Sequence, residues 1–267
     1  MKVYVARLDQ IHPLINGNKW FKLKHNLAEA SHKQYTTLLT FGGAFSNHIK
    51  ATAAAGNYFG FRTIGFIRGE EVQPLNSVLS FAKKQGMELH FISRVAYRQK
   101  KEADFLAHLK HQFPQAYLIP EGGSNALAVQ GCKEIPTLID IDYQYLLMPV
   151  GTGGTLAGVS LGLPEGKKAI GVAVLKGADF LKNDIAELTQ KNWDALPSML
   201  WLDYHAGGYA KKNADLEQFI QQFRERQPHI PIEWVYSAKM FWATYQEIAN
   251  DYFAPNTTIV LLHTGGL

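Results

Sequence analysis

YLLMPVGTGGTLAGVSLGL, residues 145 to 163, passes from an apolar run through a cluster of glycines into a helical pattern of small residues. The run from Tyr145 to Val150 suits a buried strand, and LAGVSLGL suits a helix packed close against it. Glycines between the two let the backbone turn tightly and aim successive N–H groups at one point, where the helix start adds partial positive charge. Gly151, Thr152, Gly153, Gly154 and Thr155 are therefore a candidate phosphate cup. A dinucleotide fingerprint fits poorly, because G-x-G-x-x-G needs glycine where Leu156 stands and the next strand ends in Lys176 instead of an acid. The Gly-Lys-Ser/Thr ending of a nucleotide P-loop is missing too. The plainer reading is a glycine turn chosen for close packing.

Outward from this unit the same alternation continues. Short β-branched or apolar runs occur at 36–41, 62–67, 87–92, 116–120, 169–174, 199–204 and 258–263, and helical patterns such as NHIKATAAAGNYF, NSVLSFAKKQG, EADFLAHLKHQF, FLKNDIAELTQ and DLEQFIQQFRERQ lie between most of them. Parallel strands need crossover connections, so the alternation predicts an α/β protein with a mostly parallel sheet. A chain of 267 residues can form one large domain or two small ones, and length does not choose.

Composition removes several function classes. Hydrophobic residues make up 46% and charged residues 19%, which suits a packed globule, and no apolar stretch is long enough for a membrane span. MKVYVARLDQ has no signal-peptide core, and the single Cys132 permits no intrachain disulfide, so a cytoplasmic setting is expected. A net charge of +4 is too small for a nucleic-acid surface, and the most basic stretch, RQKKEADFLAHLKH, reads as a solvated helix face. The histidines are scattered without H-E-x-x-H or C-x-x-C spacing, so no metal is expected.

In open parallel sheets ligands gather beyond the carboxyl ends of strands. Three further strand-following loops are rich in small polar residues: FGGAFSNH (41–48), PEGGSNAL (120–127) and HTGGL (263–267). Ser46 and Asn47 precede a helical run, so they are either ordinary caps or the start of a carboxylate site. Ser46 lies outside any G-x-S-x-G elbow, which weakens a hydrolase reading. At 16–27, NGNKWFKLKHNL brings Lys19 from a tight turn to a helix start; taken alone, Lys19, Lys22 and Lys24 read as solvated. A phosphate cup, a carboxylate site and a lysine in a turn suit a phosphorylated aldehyde cofactor held as a lysine Schiff base.

Six segments in order carry a resemblance: NGNKWFKL to G-G-N-K-x-R-K-L, FGGAFSNH to G-x-x-Q-S-N-H, PEGGSNALAVQG to P-x-G-G-S-N-A-L-G-x-x-G, GTGGTLAG to the glycine-rich phosphate loop, EWVYSAKM to D-P-V-Y-T-G-K, and LLHTGG to H-T-G-G. The chain resembles the pyridoxal-phosphate enzymes of the tryptophan synthase β-like fold, in the group of 1-aminocyclopropane-1-carboxylate deaminase and D-cysteine desulfhydrase. The resemblance implies two domains, each an open mostly parallel sheet with helices on both faces: residues 1–32 plus 128–267 as the larger, cofactor-binding domain and 33–127 as the smaller. It implies that Lys19 carries pyridoxal 5′-phosphate and shuttles protons, that Asn47 bonds the phenolic oxygen, and that Gly151, Thr152, Gly153, Gly154 and Thr155 receive the phosphate. Thr264 is expected near the pyridine nitrogen. Ser46, with the backbone amides of Asn47 and His48, is expected to hold the substrate carboxylate, and Ser46 to share in the chemistry. Tyr236, expected in the chemistry as well, and Tyr209 would wall the site. A homodimer acting on a small amino acid completes the expectation.

Departures from the pattern matter. Ser237 follows Tyr236 where the cyclopropane deaminases have glutamate, and a hydroxyl favours protonation of the pyridine nitrogen far less than a carboxylate does. Elimination from a D-cysteine-like substrate is therefore expected ahead of cyclopropane ring opening, with a non-catalytic cofactor binder as a further alternative. Phe21 and Phe45 replace an arginine and a glutamine of the motifs. The family's usual N-terminal extension is missing and the chain stops at Leu267, where a closing helix is expected; this reads as a compact relative, a truncated frame or weakened cofactor retention.

Overall fold

A computed structural model describes residues 1–266, so Leu267 of the HTGGL loop lies outside the described residues. In chain order the elements are β1 (Lys2–Arg7), α1 (Asn18–His32), β2 (Thr37–Gly42), α2 (Asn47–Phe59), β3 (Arg62–Arg68), α3 (Ser77–Lys84), β4 (Met87–Ile92), α4 (Arg94–Arg98), α5 (Ala103–Gln112) and β5 (Ala116–Ile119). They continue with α6 (Ala126–Cys132), β6 (Tyr145–Val150), α7 (Gly154–Gly162), β7 (Lys168–Ala173), α8 (Leu181–Thr189), β8 (Ser198–Trp201), α9 (Ala214–Arg226), α10 (Ser237–Ala249) and β9 (Thr258–His263).

Two parallel sheets result. One has five strands in the order β1-β9-β6-β7-β8, the other four in the order β4-β3-β2-β5. Strand β6 aligns Tyr145 with Lys168 of β7 and with Ile259 of β9, while β2 aligns Thr37 with Arg62 of β3 and with Ala116 of β5. All six residues of β2 are buried, as are the last five of β6, which is why their sequences are continuous apolar runs instead of alternating ones. The α/β class with mostly parallel sheet is therefore as expected from the sequence.

Helix ends follow local chemistry. Helix α2 is capped by Ser46, whose hydroxyl accepts the Ile49 N–H, and it stops at Gly60 with φ 78°. Helix α9 is capped by Asn213 and buries Leu216, Ile220 and Phe223, one face at helical spacing. Helix α7 is buried over Gly154–Ser160, because it runs between the five-stranded sheet and helices α6 and α8.

Two differences from the sequence reading stand out. The opening residues form β1, paired along its whole length with β9, although Met1, Val3 and Tyr4 stay exposed at this sheet edge. MLWLDY yields only the four-residue β8, since the chain leaves the sheet at Leu202.

Close approach of α1 and α6 is the packing that brings the lysine turn to the phosphate loop. A Cβ on Gly131 would overlap the Phe21 carbonyl oxygen, backbone against backbone. Gly131→Ala is expected to destabilise the protein by at least about 3 kcal/mol, the upper range of overpacking. Gly60→Ala meets open space and should lose only the left-handed penalty, about 1 to 2 kcal/mol. Urea denaturation of both variants checks this, and a Gly131→Ala loss no larger than that of Gly60→Ala would contradict the packing argument.

Candidate active site

The lysine turn sits where it does because of Gly17. Its N–H donates to Leu8 O at 2.9 Å, its φ is 67°, and a Cβ there would overlap the Thr264 carbonyl oxygen. Only glycine lets the turn lie directly on the chain leaving β9. Asn18 N–H donates to that same Thr264 oxygen at 3.2 Å, and α1 begins there. Lys19 is thus the second residue of a helix, fixed between the C-terminal end of the five-stranded sheet and the cleft.

Lys19 Nζ donates to Asn18 Oδ1 at 2.9 Å, and Asn18 Nδ2 donates to Thr155 Oγ1 at 2.7 Å. Burial first, and then the like charge of Lys22, pull the Lys19 ammonium down to about 7. Lys22, one turn further along the same face, is only 2% exposed. Its Nζ donates to Ser124 Oγ at 2.8 Å and reaches Thr152 Oγ1 at 3.5 Å, and burial lowers it to about 8. Among the described residues no carboxylate stands within ion-pair distance of it. A buried cation held only by hydroxyls is several kcal/mol from comfort by the general cost of burying an ion, and an anion would relieve it.

The place for that anion is built. Helix α7 starts at Gly154 after Gly153 at φ 76°, so its free N–H groups open towards Lys22. A Cβ on Gly154 would come within 2.6 Å of Ser124 Oγ and 3.0 Å of Lys22 Nζ. Ser124 Oγ and Thr152 Oγ1 lie 2.6 Å apart. Backbone donors, two hydroxyls and a cation converge on one small space, as a phosphate monoester requires.

Across the cleft, the loop after β2 brings Ser46 and Asn47 to the start of α2. Ser46 is 8% exposed, and Asn47 presses on the chain after β9, since a Cβ on Gly266 would overlap its amide. His48 turns inward. Thr40 Oγ1 gives its proton to Ile119 O at 2.8 Å and so accepts from His48 Nε2–H at 2.8 Å, which leaves Nδ1 as a buried acceptor without a hydrogen-bond partner. Burial, then the charges of Lys19 and Lys22, hold His48 well below its usual range, so it stays neutral.

Tyr236 and Tyr209 close another side, their hydroxyls 3.4 Å apart and their rings edge to face. A Cβ on Gly151 would lie 3.2 Å from the Tyr236 ring, and one on Gly43 would lie 3.7 Å from the Tyr209 ring, so the pair spans from the phosphate loop to the Ser46 loop. Burial raises both phenols and keeps them protonated. The Ser237 hydroxyl is engaged by Glu233, accepting its N–H at 2.9 Å and lying 3.3 Å from its Oε1. Thr264 is buried just after β9, where its carbonyl oxygen accepts the Asn18 N–H.

Residues from six separate segments therefore meet around one cleft: Lys19, Ser46–His48, Gly151–Thr155, Tyr209, Tyr236 and Thr264. Sequence reading missed Lys22, Asn18, Ser124 and Glu233. The signal for Lys22 was its i+3 spacing from Lys19, which puts both on one helix face. Lys24, by contrast, pairs with Glu134 at the surface. Cys132 is fully buried and its thiol is pushed up to about 11 by burial, so it acts as packing.

A paired-sheet α/β fold whose cleft sets a desolvated lysine beside a second buried lysine at an open helix start fits the class of pyridoxal-phosphate enzymes. The family model of the pyridoxal-phosphate dependent enzymes matches residues 2–265, and the chain belongs to that family. It is 30% identical to a putative 1-aminocyclopropane-1-carboxylate deaminase of Pyrococcus horikoshii, covering 99% of this chain and 84% of the relative. Identity is 27% to the bifunctional D-cysteine desulfhydrase/1-aminocyclopropane-1-carboxylate deaminase of Arabidopsis thaliana, over 100% of this chain and 72% of the relative. A D-cysteine desulfhydrase of Serratia proteamaculans is 26% identical over 99% and 86%. The crystal structure of an ACC deaminase homologue superposes with TM-score 0.84 at 30% identity, over 99% of this chain and 84% of that one. The protein is thus a pyridoxal-phosphate-dependent enzyme of the group formed by these deaminases and desulfhydrases. No helix among the described residues is long and apolar enough to cross a membrane.

The lowered lysines make a pH prediction. Unfolded, Lys19 and Lys22 hold protons up to 10.5; folded, they release them near 7 and 8. From about pH 7 to 9 the unfolded state binds more protons, so stability of the cofactor-free protein rises with pH, and below that window the penalty is constant. Urea midpoints should be higher at pH 9 than at pH 7, with Lys22→Met shrinking the difference. A lower midpoint at pH 9 in the unmodified protein would contradict the assignment.

Proposed function

We propose that the protein is a lyase that eliminates the β-substituent of a small, D-cysteine-like amino acid, giving a keto acid, ammonia and, from cysteine, sulfide. The observation that carries the reading is the pair of buried lysines one turn apart, Lys22 against the start of α7 and Lys19 lowered to about 7. Lys22, Ser124, Thr152 and the amides of Gly153–Thr155 would hold the phosphate, and Asn47 the phenolic oxygen. When bound, the cofactor supplies an electron sink for the amino acid's α-carbon.

The chain's own groups do the rest. Lys19, neutral in a large fraction at neutral pH, serves first as the amine and then as the base for the α-proton. The start of α2, with Ser46, holds the substrate carboxylate. Tyr236, kept protonated by burial, can offer a hydrogen bond to the leaving sulfur, and Lys19, once it carries the α-proton, is the acid able to protonate it. For cysteine the balance is cysteine plus water to pyruvate, hydrogen sulfide and ammonia. A larger cofactor-binding domain of residues 1–32 plus 128–267 beside a smaller one of 33–127, a homodimer and a cytoplasmic setting belong to the same proposal.

Ring-opening deamination is the second reading. It is favoured by the Glu233 carboxylate 3.3 Å from Ser237 Oγ, which places an acid near the position the cyclopropane deaminases give to glutamate. Turnover of D-cysteine, D-serine and 1-aminocyclopropane-1-carboxylate by the cofactor-loaded protein separates the two. D-Cysteine should be the fastest, and Lys19→Ala should lower the rate by at least about 1,000-fold, the scale of losing a catalytic base. Faster turnover of the cyclopropane acid would favour the second reading, and bound cofactor without turnover of any amino acid would remove both.

A further inference from the structure

Phe45 stands immediately before Ser46 and is 41% exposed, although the loop that carries it is firmly held. Ser46 N–H donates to Gly43 O at 3.0 Å, and Asn76 Nδ2 donates to Ala44 O at 2.9 Å. The phenyl ring does not fill either sheet's core. It meets Trp234 instead, with ring centroids 5.8 Å apart and planes at 66°.

Trp234 comes from the opposite side of the cleft, two residues before Tyr236, in the turn that leads into α10. It is partly buried and also borders a cavity of about 420 Å³ with Ile220 and Arg224. The two rings thus meet between the loop that carries Ser46 and the turn that carries Tyr236. On the other side of the same loop, near Gly43, the Arg68 guanidinium lies over the Tyr209 ring, 5.8 Å from its centroid. On one side of the Ser46 loop a guanidinium lies over an aromatic ring, and on the other two aromatic rings meet. An exposed aromatic ring next to a carboxylate site gains by covering apolar surface of whatever the site holds.

We propose that Phe45 and Trp234 form the subsite for the substrate's β-substituent and select an apolar one, an S-alkyl or S-aryl cysteine over free cysteine. The inference rests on the amino-acid reading of the site and deepens it. In the reaction the Cα–H and Cβ–S bonds break, the sulfur leaves with a proton as a thiol, one water supplies the keto oxygen of pyruvate, and the nitrogen leaves as ammonia.

Phenylalanine and alanine test the subsite without turnover, because neither has a β-leaving group. Each enantiomer is titrated into the cofactor-loaded protein and its Kd read from displacement of the visible absorption band. Phenylalanine of one hand should bind at least 10-fold tighter than alanine of the same hand, which corresponds to about 1.4 kcal/mol. Phe45→Gln and Trp234→Leu should each bring that preference below about threefold by the same conversion, whereas Tyr58→Ala, an exposed aromatic elsewhere on α2, should leave it unchanged. Equal affinities in the unmodified protein, or a preference untouched in both subsite variants, would overturn the proposal while leaving the lyase reading intact. Absence of any visible band with saturating cofactor would instead remove the site reading, and this inference with it. S-benzylcysteine turned over more slowly than cysteine of the same hand would also count against it.

Discussion

Two lysine amines on one turn of one helix, both desolvated and neither ion-paired with a carboxylate among the described residues, set the terms for the rest of this structure. Like charges that close in a low-dielectric cleft repel, and each lowers the other's affinity for a proton. The fold tolerates the arrangement by surrounding Lys22 with hydroxyls and the open end of α7, and His48 stays neutral through burial and the charges of the same two lysines. A phosphate at α7 would turn the most unfavourable feature of the molecule into its strongest attachment. Lys19 would then face a neutralised neighbour, which is the condition for acting as a nucleophilic amine and, later, as a base.

Packing makes this possible through contacts that leave no room for side chains. Gly17 on the Thr264 carbonyl seats the lysine turn against the five-stranded sheet, Gly131 on the Phe21 carbonyl draws α6 and α7 towards α1, and Gly154 leaves room beside Lys22 and Ser124. The Ser46 loop reaches in from the four-stranded sheet and touches the opposite side at Tyr209, at Trp234 and at Gly266. Buried Lys239 adds a second constraint there: its ammonium donates to Gly208 O at 2.8 Å and so anchors the loop that carries Tyr209 to the helix that follows Tyr236.

Much of this was legible in the sequence because it rests on local patterns. Buried parallel strands read as apolar runs, so β2, β3, β6 and β7 fall where the runs are, and NHIKATAAAGNYF coincides with α2. The edge strand β1 was not legible, since a half-exposed strand of mixed residues owes its existence to β9 some 250 residues away. The glycine loop was recognisable as a tight turn into a helix start from turn chemistry alone. Lys22 was not, because a lysine in an amphipathic helix looks solvated until the partner loop that covers it is placed; nothing near it in sequence announces Ser124 and Thr152. Glu233 stayed hidden for a similar reason, its three backbone donors belonging to the turn into α10. The departures at Phe45 and Ser237 could be seen in the sequence, whereas their partners Trp234 and Glu233 needed the structure.

The most direct test of the central claim is peptide mapping after borohydride reduction of the protein with pyridoxal 5′-phosphate, and in parallel with pyridoxal. The account predicts a single label on Lys19 with the phosphorylated cofactor, and markedly weaker labelling with pyridoxal, which cannot use Lys22 and the start of α7. A label on Lys22, labels spread over surface lysines, or equal labelling by the two aldehydes would contradict it.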